Sequence, residues 1–336
     1  MSLRKMRPAC KAGATIAISL AVFFASVKVT GDGMYRISGH VPDKQLLRAR
    51  YLGHRIQTEN MKLALVLRPR DPGGLEEFLK KLHDPTDPEY RRFITPEEYA
   101  ERFGPSEDDI RIVSDHLARN GLRVKDVHQS RLVLEVEGPV ASVERAFILQ
   151  INNYSLQSGR LIHSADADPI FPAAVAGKVA LVAGLKNLAE RKPHLVKPRK
   201  IDFRADPRAS IGDFMTPAKI KSAYGLDTVP QTGTGETLAI FTLAGYSQSD
   251  VNSYASTFGL PAPSLENVLV DGVDGSAGSG AEETTLDIEL ASAVAPGLSK
   301  ILAYQGPNTE AGVLHTYSKI ANDNRASVVS VSWGLS

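Results

Sequence analysis

The chain has 336 residues, 43% of them hydrophobic, and a formal net charge of +1. That length is enough for two cores, and so balanced a charge argues against nucleic acid or an anionic membrane surface as the main partner. The one cysteine, Cys10, excludes disulfides and a cysteine-ligated metal centre. The eight histidines include no His-x-x-x-His pair and read as ordinary surface or core residues.

Arg4, Lys5, Arg7 and Lys11 give a basic start, followed by an apolar run from Ala12 to Val27. The run is short and rich in Ala and Ser for a transmembrane helix, and suits the apolar core of an export signal over residues 1–30. Phe24-Ala25-Ser26-Val27 offers small residues but no clean Ala-x-Ala, so an uncleaved signal anchor stays open.

Residues 33–187 have the pattern of a small α/β domain. Met61 to Leu67 is a strand-like run, and Gly74 to Leu82 reads as a helix with Leu75, Phe78, Leu79 and Leu82 on one face. Ser106 with Asp109 caps a helix to Asn120, which Asn120-Gly121 closes. Strands follow at Leu122 to Val127 and Arg131 to Glu137, the second turning Leu132, Leu134 and Val136 inward. A helix at Pro139 to Phe147 and a hairpin of Leu149 to Leu156 with Arg160 to Ser164 complete the set. Strand, helix, strand, strand, helix, strand is the order of a ferredoxin-like unit, with one helix inserted.

Residues 188–212 change character. Arg191, Lys192, Lys197, Arg199, Lys200, Arg204 and Arg208, interspersed with prolines, read as an exposed basic linker. A loose, exposed stretch of this kind is also where a protease would cut.

Thr216 with Pro217 opens the next domain, residues 213–336, with Ile220, Ala223 and Tyr224 as the apolar face of its first helix. Thr237 to Leu243 is apolar without alternation, as a buried parallel strand should be. A helix at Ser249 to Phe258 and a strand at Asn267 to Val270 follow. After the helix described next come strands at Lys300 to Ala303 and Ala326 to Ser332, flanking a helix at Glu310 to Asn322. The alternation implies a doubly wound parallel sheet.

Between them a Gly/Ser-rich loop leads into a helix ended by Pro296-Gly297. Ser279 with Glu282 is the expected capping box, and Leu286, Leu290 and Val294 the expected apolar stripe. Glu283 and Asp287 stand one turn apart on one face. That spacing fits a solvated acidic face. It equally fits a carboxylate pair in which one pKa is raised, so that an acid serves as general base.

Several short motifs carry a resemblance. Leu82-His83-Asp84-Pro85, Thr95-Pro96-Glu97-Glu98-Tyr99, Arg102-Phe103-Gly104-Pro105-Ser106, Val143-Glu144-Arg145-Ala146-Phe147 and Pro172-Ala173-Ala174-Val175-Ala176-Gly177 occur in order. Over residues 60–187 they resemble the pro-kumamolisin activation domain, the propeptide of the sedolisins or serine-carboxyl peptidases. Ala223-Tyr224-Gly225-Leu226 and Thr232 to Ile240 resemble the start of the catalytic domain, and Glu283-Thr-Thr-Leu-Asp287-Ile288-Glu289 its carboxylate helix.

The resemblance implies a ferredoxin-like propeptide and a subtilisin-like parallel-sheet domain. It implies that Glu283 is the general base for a serine and that Asp287 orients and charges it. Ser332-Trp333-Gly334 resembles the strand end lining the family's substrate cleft, although Trp333 could equally be packing at a strand end. A Ser-Gly-Thr-Ser nucleophile and the family's calcium site are expected beyond Ser336, with no cofactor in these residues. The expected protein is a secreted, acid-acting endopeptidase zymogen whose propeptide packs on its own peptidase domain, with protein or peptide substrates and no membrane contact after signal cleavage. These residues would be its front part, inactive alone. The alternatives are a non-catalytic inhibitor or chaperone of a separate protease, and a truncated gene product.

Overall fold

The structure is a computed structural model that describes residues 27–31, 33–41, 46, 48–193 and 216–335. Residues 1–26 of the expected signal and residues 194–212 of the expected linker lie outside the described residues.

The first unit runs β1 (Val27–Gly31), β2 (Met34–Ile37), β3 (Arg50–His54), β4 (Asn60–Leu67), α1 (Pro72–His83), α2 (Pro96–Arg102), α3 (Glu107–Arg119), β5 (Arg123–Val127), β6 (Val133–Pro139), α4 (Val140–Phe147), β7 (Ile151–Ser155), β8 (Leu161–Ala165), β9 (Ile170–Pro172), α5 (Ala173–Ala176), β10 (Val179–Ala183) and β11 (Arg191–Pro193). Its helix starts are set locally. Ser106 accepts from the Asp109 N–H while Asp109 accepts from that of Ser106, and Thr95 with Glu98 repeats the device.

The main sheet has the order β10-β4-β6-β5 and is antiparallel throughout. One face packs Leu63, Leu65, Leu134 and Val136 against Val113 and Leu117 of α3 and Val143 and Phe147 of α4. The strand that completes this sheet is β10, which the sequence reading did not anticipate. The hairpin β7–β8 pairs instead with β3 in a separate sheet, and β1-β2-β9 form a third.

The second unit runs α6 (Pro217–Ala223), β12 (Thr237–Thr242), α7 (Gln248–Thr257), β13 (Leu265–Leu269), α8 (Ala281–Val294), β14 (Lys300–Gln305), α9 (Glu310–Asp323), β15 (Val328–Val331) and β16 (Trp333–Leu335). Its sheet has the order β13-β14-β12-β15, parallel throughout. Ala239, Phe241, Leu302 and Tyr304 face Val313 and Ile320 of α9, whereas Ile240 and Ile301 face Val251 of α7 and Ile288 of α8. Both faces are covered, which is why the strands read as unbroken apolar runs. β15 is the sheet edge, with Val328 and Val331 exposed. On α6 only Ile220 is buried; Ala223 and Tyr224, expected on its apolar face, are exposed.

The units meet at two places. Ala64 and Val66 of β4, Val133, and Ala180 and Ala183 of β10 pack against Ala311 and Leu314 of α9. The apolar run of β4 thus reflects burial on two faces, the second covered by the following unit. In addition β11 pairs antiparallel with β16, Pro193 opposite Trp333 and Arg191 opposite Leu335. The Arg191 N–H donates to Asn308 Oδ1 at 3.1 Å, and Asn308 Nδ2 donates to the Arg191 carbonyl at 2.7 Å. Among the described residues no helix is long and apolar enough to cross a membrane.

Candidate active site

The carboxyl ends of β12, β14 and β15 lie side by side, the edge of a parallel sheet where ligands bind. α8 starts beside that edge. Its N-cap is Gly280, at φ +95°, and no side chain caps it. The Ser279–Glu282 capping box expected from the sequence does not form. A side chain at position 280 would run into Trp333, because a Cβ there would stand 2.3 Å from the Trp333 ring. The chain needs glycine at this turn both for its conformation and for that contact.

The buried face of α8 also differs from the expected stripe. Thr284, Thr285, Ile288, Ser292 and Ala293 are buried, together with Glu283, whereas Val294 is exposed. Hydroxyl groups hold this polar face. Thr284 is hydrogen-bonded to Thr242 at the end of β12, and the Ser247 N–H donates to Thr285 Oγ1 at 3.0 Å. Thr285 and Ser292 donate back to the carbonyls of Ala281 and Ile288 one turn earlier, at 2.8 and 2.7 Å.

These bonds seat Glu283 and Asp287 inward, at the sheet edge. Glu283 is 8% exposed. Asp287 accepts a 2.8 Å hydrogen bond from Ser332 Oγ on one oxygen, while its other oxygen is buried without a hydrogen-bond partner. Burial pushes the Asp287 carboxyl above the usual carboxylate range, and the Ser332 bond partly opposes this. The pair is therefore not a solvated acidic face. Glu282 is exposed, and Glu289 is raised to about 7 by burial and by the neighbouring charge of Asp250.

Ser332 lies between β15 and β16, within reach of Asp287. Trp333 is buried, its Nε1 without a hydrogen-bond partner, and Gly334 pairs with Lys192 of β11. The site thus gathers Glu283, Asp287, Ser332, Trp333 and Gly334 with an extended segment from the first unit. The sequence reading did not single out Gln305, at the end of β14, whose side-chain amide is buried without a hydrogen-bond partner. No local pattern marks it, since its burial comes from the sheet and the loop around Gly275. It also missed the meeting of His128 and His315, whose rings lie 6.2 Å apart across the join between units.

Residues 48–188 match the family described as the pro-kumamolisin activation domain. Kumamolisin of Bacillus sp. (strain MN-32) is 29% identical over 289 residues, covering 82% of this chain and 51% of its own. Xanthomonalisin of Xanthomonas sp. (strain T-22) is 25% identical, covering 82% and 35%. Sedolisin of Pseudomonas sp. (strain 101) is 24% identical, covering 82% and 48%. The chain spans about half, or less, of the length of these relatives. It carries a pro-kumamolisin activation domain and is related along most of its length to the peptidases of the sedolisin family.

Proposed function

We infer that these residues form the propeptide and part of the catalytic unit of a serine-carboxyl endopeptidase zymogen that is exported and acts at acidic pH. The observation that carries the reading is the burial of Glu283 and the half-burial of Asp287 on one face of α8, beside a strand end already paired with an extended segment. The first unit is read as ferredoxin-like, supported by its strand order, and the second as subtilisin-like, supported by its parallel sheet with helices on both faces.

In this mechanism Glu283 takes the proton of a serine nucleophile and Asp287 orients it, as a histidine and an aspartate do in other triads. Residues 1–336 contain no Ser-Gly-Thr-Ser, so they supply the base and its partner rather than the nucleophile. A glutamate titrates near 4.3, so it can act as a base in acid where a histidine is already protonated. Ser332, Trp333 and Gly334 form one wall of the substrate cleft. β11 lies on that wall as a peptide strand would, holding affinity through main-chain hydrogen bonds. Cleavage in the basic stretch after β11 would release it.

The test is expression of the reading frame that contains these residues, followed by turnover of a denatured protein between pH 3 and 8. Turnover confined to the acidic side, appearing after cleavage between residues 188 and 215, is expected. A folded product inactive at every pH would refute the peptidase reading and favour an inhibitor or chaperone.

A further inference from the structure

β10 is an edge strand of the main sheet, pairing with β4 on one side only. On its other side the Val182 N–H donates to Nε2 of His40 at 3.0 Å, across 142 positions of sequence. His40 lies just after β2 and is 3% exposed, and its Nδ1 donates to the Ile37 carbonyl at 3.0 Å. A carbonyl can only accept and an amide N–H can only donate. The two contacts therefore select one neutral tautomer, with its proton on Nδ1. A second proton, on Nε2, would face the Val182 N–H donor to donor, and that bond would break.

Four charged groups surround the ring. Asp168, just before β9, lies 3.9 Å from Nδ1, and its Oδ1 accepts from the His40 N–H at 2.8 Å. Lys186, just after β10, lines a cavity of about 190 Å³ beside the ring, together with Arg191 of β11 and Glu310 of α9. Burial is the largest influence and lowers the His40 pKa from 6.5 to about 4. The Ile37 carbonyl and Asp168 favour the charged ring without prevailing, and Lys186 opposes it. His163, also lowered to about 4 chiefly by burial, bonds the Gly184 carbonyl through Nε2. A carbonyl accepts from the neutral or the charged ring alike, so that bond survives a second proton and the one from Val182 does not.

The strand that His40 holds is also the one that carries the join, through Ala180 and Ala183 packed on Ala311 and Leu314 of α9. We propose that His40 is an acid-released latch: on taking a second proton it lets go of β10 and loosens the join between the units. The cavity gives the released, charged ring room to turn toward the Glu310 carboxylate that lines it. The sign follows from linkage. The opened state, with the ring in water, binds the proton more readily than the closed one. The hold is therefore full above about pH 6.5 and is lost as pH falls through about 4. The latch is a property of the first unit and the join, and stands whether or not the second unit belongs to a peptidase.

The test is hydrogen exchange of the whole chain by mass spectrometry at pH 7 and pH 4, corrected for the intrinsic pH dependence of exchange. Protection of residues 179–188, and of 311–316 across the join, should fall at least about tenfold at pH 4. Residues 133–139, at the centre of the sheet, should keep theirs. In His40→Gln, which cannot gain a proton, the fall should be absent, and in His163→Gln it should persist. If His40→Gln does not fold, carbon NMR titration of the His40 ring in the parent chain decides the matter. Its midpoint should coincide with the loss of protection. Protection unchanged once His40 has titrated, an undiminished fall in His40→Gln, or loss of the response in His163→Gln would overturn the proposal.

Discussion

Ser332 Oγ donates a 2.8 Å hydrogen bond to Asp287 Oδ1, tying the end of the parallel sheet to the middle of α8 across 45 positions of sequence. The bond joins the two halves of the candidate site, the carboxylate helix and the cleft wall. It also stabilises the ionised form of a carboxyl that burial otherwise pushes toward protonation.

Ser332→Ala should therefore raise the Asp287 pKa further and cost about 1 kcal/mol of stability, the usual worth of one hydrogen bond. Carboxyl carbon NMR titration of Asp287 and urea denaturation measure the two effects. An unchanged Asp287 titration would show that the bond does not persist in solution.

Gly280→Ala should destabilise the second unit. The residue sits at φ +95°, and an added Cβ would meet the Trp333 ring at 2.3 Å. The left-handed conformation alone costs about 1–2 kcal/mol for a non-glycine residue, and the clash adds to it. Trp333 is the single tryptophan, so its fluorescence reports the site directly. A variant with unshifted emission and unchanged denaturation midpoint would contradict the packing described.

What was legible in the sequence divides along physical lines. The Ser106–Asp109 box was readable because caps are local, made by residues three apart. The strands β4, β12 and β14 were readable from unbroken apolar runs. α8 was misread because apolar spacing assumes an apolar buried face. Here Thr284 and Thr285 are bonded across some forty positions to Thr242 at the end of β12 and to Ser247 ahead of α7, and Ser292 bonds back one turn to Ile288. β10 was missed because Val179–Ala183 is short and follows a four-residue helix. The His128–His315 approach was invisible because it arises only where the two units meet.

Glu289 sets a pH dependence of known sign. Burial, with Asp250 second, raises its pKa from 4.5 to about 7 in the folded chain. The folded state thus holds a proton the unfolded state has lost, so this contribution is full below about pH 4.5 and disappears as pH rises through 7. Glu289→Gln should match the parent chain at pH 4.5 and exceed it at pH 8 by on the order of 1 kcal/mol, the full shift being reduced by partial solvation. Denaturation at the two pH values measures the difference. Equal differences at both would show that Glu289 is solvated.

Glu283 and Asp287 are proposed to act as one catalytic unit. The most direct measurement is peptide turnover at acidic pH by the product of the reading frame that carries these residues, as the parent protein and as five variants. Glu283→Gln and Asp287→Asn should each lower turnover by about 10²–10⁴, the worth of a general base. The double variant should fall little further than the worse single one, because members of such a unit are non-additive. Glu282→Gln and Glu289→Gln should remain close to the parent. A folded Glu282→Gln variant as inactive as Glu283→Gln, or a folded Glu283→Gln variant of undiminished turnover, would contradict the assignment.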